Sequence, residues 1–316
     1  MLDVRRLRVL AEVAAEGSFS AAGHALTLTQ SAVSQHVAAL ERELGQTLVV
    51  RGTRPLELTE AGHALVRHAT GIFARLDGAE QELDEIAGRR HGRLRFGPFP
   101  TALATIVPPA FAHFRRHHPH VTLAVVDEHL QRLVPRLEAG ELDLALIYDH
   151  AVLTDIAKRD LERTPLLDDP FQVVLPTGHP LARLKRPLEL GDLSRESWIG
   201  GAPNSSWFRI VGDACERAGF RPHVAYASDD PVAVQALVAA GLAVSVIPGL
   251  AVAHPLPGVE VRALRSDPPM RHISAARPRD AYHGRAVTAM IDSLRHAVAV
   301  SRDYRAAAGP RQPSGG

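Results

Sequence analysis

The chain has 316 residues and a mass of 34.1 kDa, too long for one compact domain and sufficient for two or three. Hydrophobic residues at 46% and charged residues at 22% are ordinary globular usage, which excludes wholesale disorder, collagen and coiled-coil rods. Lys+Arg 36 against Asp+Glu 35 leaves a net charge of +1, which excludes a protein that coats nucleic acid or acidic membrane through bulk charge.

Any contact with nucleic acid must therefore be local. No stretch approaches the roughly 18 uninterrupted apolar residues of a membrane span, and the first residues carry charges where a signal peptide would be apolar. These features predict a soluble, cytoplasmic protein with no membrane partner. Cys215 stands alone, so neither an internal disulfide nor a cysteine-based zinc site is expected.

In chain order, residues 1–58 read as an all-α unit closed by a hairpin. Val4, Leu7, Leu10, Ala11 and Ala14 recur at helical spacing up to Gly17, which suits a left-handed cap. Ser18 can cap a short helix over Phe19–Leu26, and Thr29 a third over Gln30–Leu44. The third places Val33, Val37, Leu40 and Leu44 on one stripe, and Gln30, Ser31, Ser34, Gln35 and Ala38 outward. A solvated helix face favours Lys, Glu and Arg. Short amide and hydroxyl side chains instead suit a helix entering the DNA major groove, where they bond base edges. Two apolar runs, Leu48–Val50 and Leu56–Leu58, flank a turn holding Arg51 and Arg54, placed to touch phosphate or the minor groove as a wing.

The ordered set Gly17-Ser18-Phe19-Ser20-Ala21-Ala22, Leu26, Gln30-Ser31-Ala32-Val33-Ser34-Gln35-His36-Val37, Leu40-Glu41, Leu44-Gly45, Leu48, Arg51 and Leu58-Thr59-Glu60-Ala61-Gly62 resembles the winged helix-turn-helix of LysR-type transcriptional regulators. The family commonly has proline, arginine and phenylalanine where this chain has Ser31, Gln35 and Val49. Losing the arginine shifts base preference and weakens phosphate attraction. Six arginines and six carboxylates leave residues 1–58 without net charge, which predicts weak non-specific binding and reliance on two half-sites. Ser18 and Ser20 are expected at backbone phosphates, and Gln30, Ser31, Ser34 and Gln35 at base edges of double-stranded DNA.

Over residues 59–88, Leu65, Ala69, Ile72, Leu76, Ala79, Leu83 and Ile86 alternate spacings of four and three, a seam suited to a second copy of the chain. Gly71, Gly78 and the small alanines thin that seam, so packing onto its own domain is the alternative. In the resembling family this segment is the dimerising linker helix.

After a Gly- and Arg-rich boundary at 88–93, short strands alternate with helices. Strands are expected at Leu94–Gly97, Val121–Val126, Leu142–Tyr148, Phe171–Leu175, Val224–Ala227 and Leu242–Ile247. Helices are expected at Thr101–Arg116, Gln131–Ala139, Trp207–Ala218 and Pro231–Ala240. Crossings near Arg163–Pro165 and Asp267–Pro269 divide an α/β effector region, residues 92–300, into lobe I (92–163 and 268–300) and lobe II (164–267). Val107-Pro108, His118-Pro119, Gly140–Ala145, His179–Leu181 and Ala239–Pro248 resemble family landmarks. The resemblance implies a periplasmic-binding-protein-like fold, a small-molecule effector between the lobes, and dimers that pair into tetramers.

Pro98, Phe99 and Thr101 precede one helix, and Pro203, Asn204 and Ser205 another. Two helix N-termini facing one cleft would favour an anionic or carbonyl-bearing effector, although simple capping explains Thr101, Asn204 and Ser205 equally well. Family placement adds His129, Tyr148 and Ser228. His113 and His117 share a helix face near His118 and His120, but no Cys or carboxylate is spaced with them, so a solvated helix end is expected and no metal or cofactor. Cys215 reads as a buried filler. No phosphate loop, Gly-x-Ser-x-Gly elbow or dinucleotide fingerprint occurs. The alternatives to a ligand-responsive regulator are a solute-binding protein without a DNA role and an enzyme whose site assembles from distant residues. The tail, 306–316, is expected to be disordered.

Overall fold

Local caps set the first three helices. In the computed structural model, Asp3 accepts the amide of Arg5 at the start of α1 (Val4–Glu16), and Gly17 ends it at φ 60°. Ser18 caps α2 (Phe19–Leu26) through the amide of Ala21, and Thr29 caps α3 (Gln30–Leu44) through that of Ala32. The structure describes residues 1–308 except Arg51, Thr53, Arg54, 87–91, Lys158, Asp160, Ser266, Asp267 and 280–283. The chain divides into two compact units, the first built on residues 1–90 and the second holding 143–279.

In the first unit Leu7, Leu10, Val33, Val37 and Leu40 are buried, with Val9 and Val13 taking the places expected for Val4 and Ala14. Val4 and Leu44 are exposed. β1 (Val49–Val50) pairs antiparallel with β2 (Glu57–Leu58). The Glu41 carboxylate accepts the amides of Leu48 (2.9 Å) and Val49 (3.4 Å), and Leu56 donates to the carbonyl of Gly17. The hairpin is thus tied to α3 on one side and to the α1–α2 turn on the other. Thr59 starts α4 (Glu60–Ile86) by accepting the amide of Gly62 and donating to Thr47.

The expected seam divides along α4. Leu65 and Ile72 pack with Val66 and Phe73 against the core of their own unit, around a buried Ala69, because the first half of α4 lies on α1. At Leu65 and Ile72 the seam thus makes intramolecular contacts. Leu76 and Leu83 are left exposed, at 44% and 63%. The side chain of Ile86 lies outside the described residues.

After α4 the chain forms β3 (Arg93–Gly97), α5 (Pro100–Leu103), α6 (Val107–His117), β4 (Thr122–Val125), α7 (Leu130–Glu138), β5 (Leu144–Asp149), α8 (Thr154–Ala157) and β6 (Leu161–Pro176). It continues with β7 (Ser197–Gly200), α9 (Ser206–Arg217), β8 (His223–Ala227), α10 (Pro231–Ala239), β9 (Ser245–Pro248), β10 (Val259–Ala263), β11 (Met270–Pro278) and α11 (Arg285–Ala308). One helix expected over 101–116 is two. Pro108 and Pro109 can only enter a first turn, and α6 restarts there.

β3 lies parallel to β4 and β5, and β11 runs antiparallel between β5 and β6. The first crossing is not a loop near Arg163–Pro165. β6 continues through that point, its residues 161–170 pairing with β11 in lobe I and 171–176 with β9 and β10 in lobe II. A register shift between Ile273 and Ser274 accommodates Pro165. The passage between lobes falls at Pro170–Phe171, where the Phe171 amide donates to Pro269 of the returning chain. Asp267 itself lies outside the described residues. Lobe II buries Val174, Ile199, Val234, Val238 and Ile247. α11 runs to Ala308, into the expected disordered tail, whose residues 309–316 lie outside the description.

Candidate DNA-reading face and effector cleft

Gln30, Ser31 and Gln35 are exposed on α3 and Ser34 is half-buried, so the buried stripe on α3 turns these four polar residues outward. The face is set by the tight passage from α2, where Thr27 at φ 57° ends the helix. Gly23 is required there, since a Cβ would stand 2.8 Å from the carbonyl oxygen of Leu28. The Ser18 hydroxyl accepts the Ala21 amide and Ser20 is exposed beside it at the start of α2. The Ser31 hydroxyl lies 3.0 Å from that of Thr29. Arg51 and Arg54 lie outside the described residues.

In the second unit a cavity of about 290 Å³ opens between the lobes, at the small end of metabolite pockets. It gathers Phe99, Thr101, His129, Tyr148, Pro203, Asn204 and Ser205 from the expected set. Pro98 is buried behind the wall, its carbonyl accepting the amide of Glu128 at 3.4 Å. Ser228 turns its hydroxyl to the amide of Asp230. Neither is among the residues that line the cavity.

Residues not expected complete the walls: Gln131, Ser206, Trp207, Asp229 and Arg271, with Ile247, Pro248 and Ala251. Trp207 is held by its indole N–H donating to Val246 at 2.8 Å. Asn204 sits at φ 70°, in the left-handed region that Asn tolerates, and swings the chain into Ser205, which caps α9 through the Phe208 amide. The cap is confirmed geometrically for Ser205. For Thr101 it is not, because Phe99 occupies the N-cap position of the single-turn α5.

Arg271 is the group that sequence reading missed. It is 4% exposed and donates through Nε (3.0 Å) and Nη2 (2.5 Å) to Asp169, itself 2% exposed, and through Nη2 to Thr101 Oγ1 at 3.1 Å. Asp169 also accepts the amide of Leu250 at 2.9 Å. The guanidinium carbon lies 5.1 Å from the ring centre of Phe99 and 4.8 Å from that of Tyr148, and these rings meet edge to face. Thr101 and Arg271 are 170 positions apart, so no local pattern could have joined them.

Direct contacts bridge the cleft. Gln131 donates to the Ser206 hydroxyl at 3.1 Å, and Arg209 of α9 donates to the carbonyl of Val152 at 2.5 Å and lies 3.5 Å from Asp155. Among the described residues the chain passes between the lobes along β6, and the contacts of Gln131 and Arg209 are non-covalent ties across the cleft.

The histidines form a ring stack. His113 lies 4.4 Å, centre to centre, from both His117 and His296. Its Nδ1 is 3.1 Å from Ser293 Oγ, and His117 Nδ1 is 2.9 Å from the His113 carbonyl. Burial, then the neighbouring imidazoles, hold His113 below the ordinary histidine value. Among the described residues no group of three or more His, Cys, Asp or Glu is placed to hold a metal ion. No described helix is long and apolar enough to cross a membrane.

The family model described as the bacterial regulatory helix-turn-helix protein, lysR family, matches residues 4–63, and the LysR substrate binding domain matches residues 87–299. The probable HTH-type transcriptional regulator LrrA of Synechococcus elongatus is 31% identical, over 93% of this chain and 97% of its own length. A probable hydrogen peroxide-inducible genes activator of Mycobacterium avium is 32% identical over 86% of this chain and 84% of its own. The solved structure of a full-length OxyR variant from Pseudomonas aeruginosa superposes with a TM-score of 0.73 at 26% identity, covering 93% of this chain and 95% of that one. The chain belongs to the LysR family of transcriptional regulators, with an N-terminal DNA-binding helix-turn-helix and a C-terminal effector-binding domain.

Proposed function

We propose that α3 reads an operator through Gln30, Ser31, Ser34 and Gln35, with Ser18 and Ser20 at phosphates and Arg51 and Arg54 at the wing, and that a small molecule in the interlobe cavity modulates this binding. The observation that carries the reading is the coexistence of an uncharged amide and hydroxyl face on α3 with a partly apolar cavity between two lobes. The exposed Leu76 and Leu83 on the far half of α4 are where a second copy would pack. Two such copies would present two copies of α3 to one operator, compensating for the uncharged reading head.

The test is a DNase I footprint of the full-length protein on the DNA upstream of its own gene, with scrambled competitor. Protection of an interrupted dyad is expected. Its absence from a folded protein, both alone and across an effector screen, would sink the proposal. Gln30→Ala and Ser34→Ala should each reduce binding to the protected sequence about tenfold, within the roughly 1–3 kcal/mol of a base contact, while leaving competitor binding unchanged. Equal loss on both DNAs would contradict base reading.

Two mycobacterial relatives are described as probable hydrogen peroxide-inducible genes activators, but this chain carries one cysteine. Cys215 is fully buried in α9, and burial pushes its thiol up to about 12. Without a thiolate it is a poor nucleophile toward peroxide. We therefore propose non-covalent effector sensing. The footprint should be unchanged after peroxide treatment of the native protein, and a shift abolished by Cys215→Ala would refute this.

A further inference from the structure

We propose that the effector is a compact monocarboxylic acid with an apolar or aromatic body, its carboxylate held by Arg271 and Thr101. The inference rests on the cleft being the effector site and names the chemistry it selects. A guanidinium has five N–H donors. Asp169 takes one from Nε and one from Nη2, and Thr101 takes the other from Nη2. The two N–H of Nη1 remain, on a cation that is 4% exposed and forms part of the cavity wall. Thr101 Oγ1 already accepts from Arg271, so its own proton is available to a second acceptor.

These donors belong to two residues that line the cavity side by side, where a carboxylate, with its two oxygens and four lone-pair sites, would serve as their acceptor. The rings of Phe99 and Tyr148 desolvate the guanidinium, which strengthens its attraction for an anion relative to water. Beside the polar His129, Gln131, Asn204, Ser205 and Ser206, the lining carries Trp207, Pro203, Ile247, Pro248 and Ala251, which suit an apolar body. Across the cleft Asp229 lines the lobe II wall and accepts the amide of Ala202 at 3.0 Å. A second carboxylate on the ligand would meet this negative group, so a dicarboxylate is disfavoured.

Calorimetric titration of the full-length protein with benzoate against benzamide, and hexanoate against hexanamide, tests this. At least one acid should bind about tenfold or more tightly than its amide, the ratio expected of one charge-assisted contact. Thr101→Val should weaken the acid about tenfold. Arg271→Ala alone would strand Asp169 and could unfold the lobe, so Asp169→Asn/Arg271→Gln serves as the second variant, and it should reduce acid-over-amide preference to near unity. Amides binding as tightly as acids, no binding by either acid, or a preference that survives in the double variant would overturn the carboxylate assignment. Ala251→Trp, which fills the cavity, separates the two readings. Probe binding lost in this variant with no acid preference in the native protein leaves the cleft as the site and removes only the carboxylate. Probe binding unaffected by Ala251→Trp overturns the cleft reading itself.

Discussion

Asp169→Ala should destabilise the effector unit by about 3–5 kcal/mol, the usual cost of breaking a buried ion pair from one side. The carboxylate is 2% exposed and accepts from Arg271 through two nitrogens and from the Leu250 amide. Removing it leaves a guanidinium at the cavity wall with only Thr101 and two aromatic faces, and an amide without its acceptor. Asp169 also occupies the place where β6 passes between lobes, next to Pro170, and Gly249 approaches it so closely that a Cβ would stand 2.9 Å from its Oδ1. The gap cannot close without moving the crossing. Replacing both partners, Asp169→Leu with Arg271→Met, strands no charge and should cost less than the single change. Urea unfolding followed at the effector-unit transition measures both. A single variant within about 1 kcal/mol of the native protein would mean that water from the cavity solvates Arg271 and that the pair is not desolvated.

The contrast between the two units shows which information is local. α1 to α3 were legible because each begins at a side chain that accepts an amide two or three residues on, and two of them end at a glycine in the left-handed region. Those signals span only a few residues. In the effector region, the strand cores around Leu94–Gly97 and Val224–Ala227 were found for the same reason. β10, β11 and α11 were not, since β11 owes its place to pairing on both sides with strands more than a hundred positions earlier. The crossing was misplaced at Pro165 because proline usually marks an edge or an end, whereas here a bulge in β6, with Leu166 as the extra residue, absorbs it. Thr101 could be nominated for the cleft from its position after a strand, and Tyr148 from family resemblance. Arg271 had neither cue, and its partners Asp169, Phe99 and Thr101 exist as a group only once β6, β11 and α5 meet.

Gly62→Ala should abolish DNA binding while leaving the effector unit intact. Gly62 lies in the first turn of α4, where Ala normally stabilises a helix by about 1 kcal/mol over Gly. Here a Cβ would stand 2.1 Å from the carbonyl oxygen of Leu48 and 3.1 Å from its carbon. That carbonyl accepts the amide of Thr59, and the Leu48 amide is already held by Glu41 of α3, so backbone and not a flexible side chain must yield. Overpacking typically costs about 1–3 kcal/mol and occasionally more, and an approach this close to backbone belongs at the upper end. The displacement would fall on the strand that carries the wing and on Glu41, through which α3 is fixed. Gly71→Ala on the same helix is the control. An added methyl there meets nothing nearer than 3.9 Å, so helix propensity should act alone and stability should rise by up to about 1 kcal/mol. The two substitutions make the same chemical change in the same helix, and only the approach of Leu48 distinguishes them. Opposite signs in thermal unfolding, with footprinting lost in Gly62→Ala alone, are expected. Equal effects would show that the α4–hairpin contact does not hold the reading head in place.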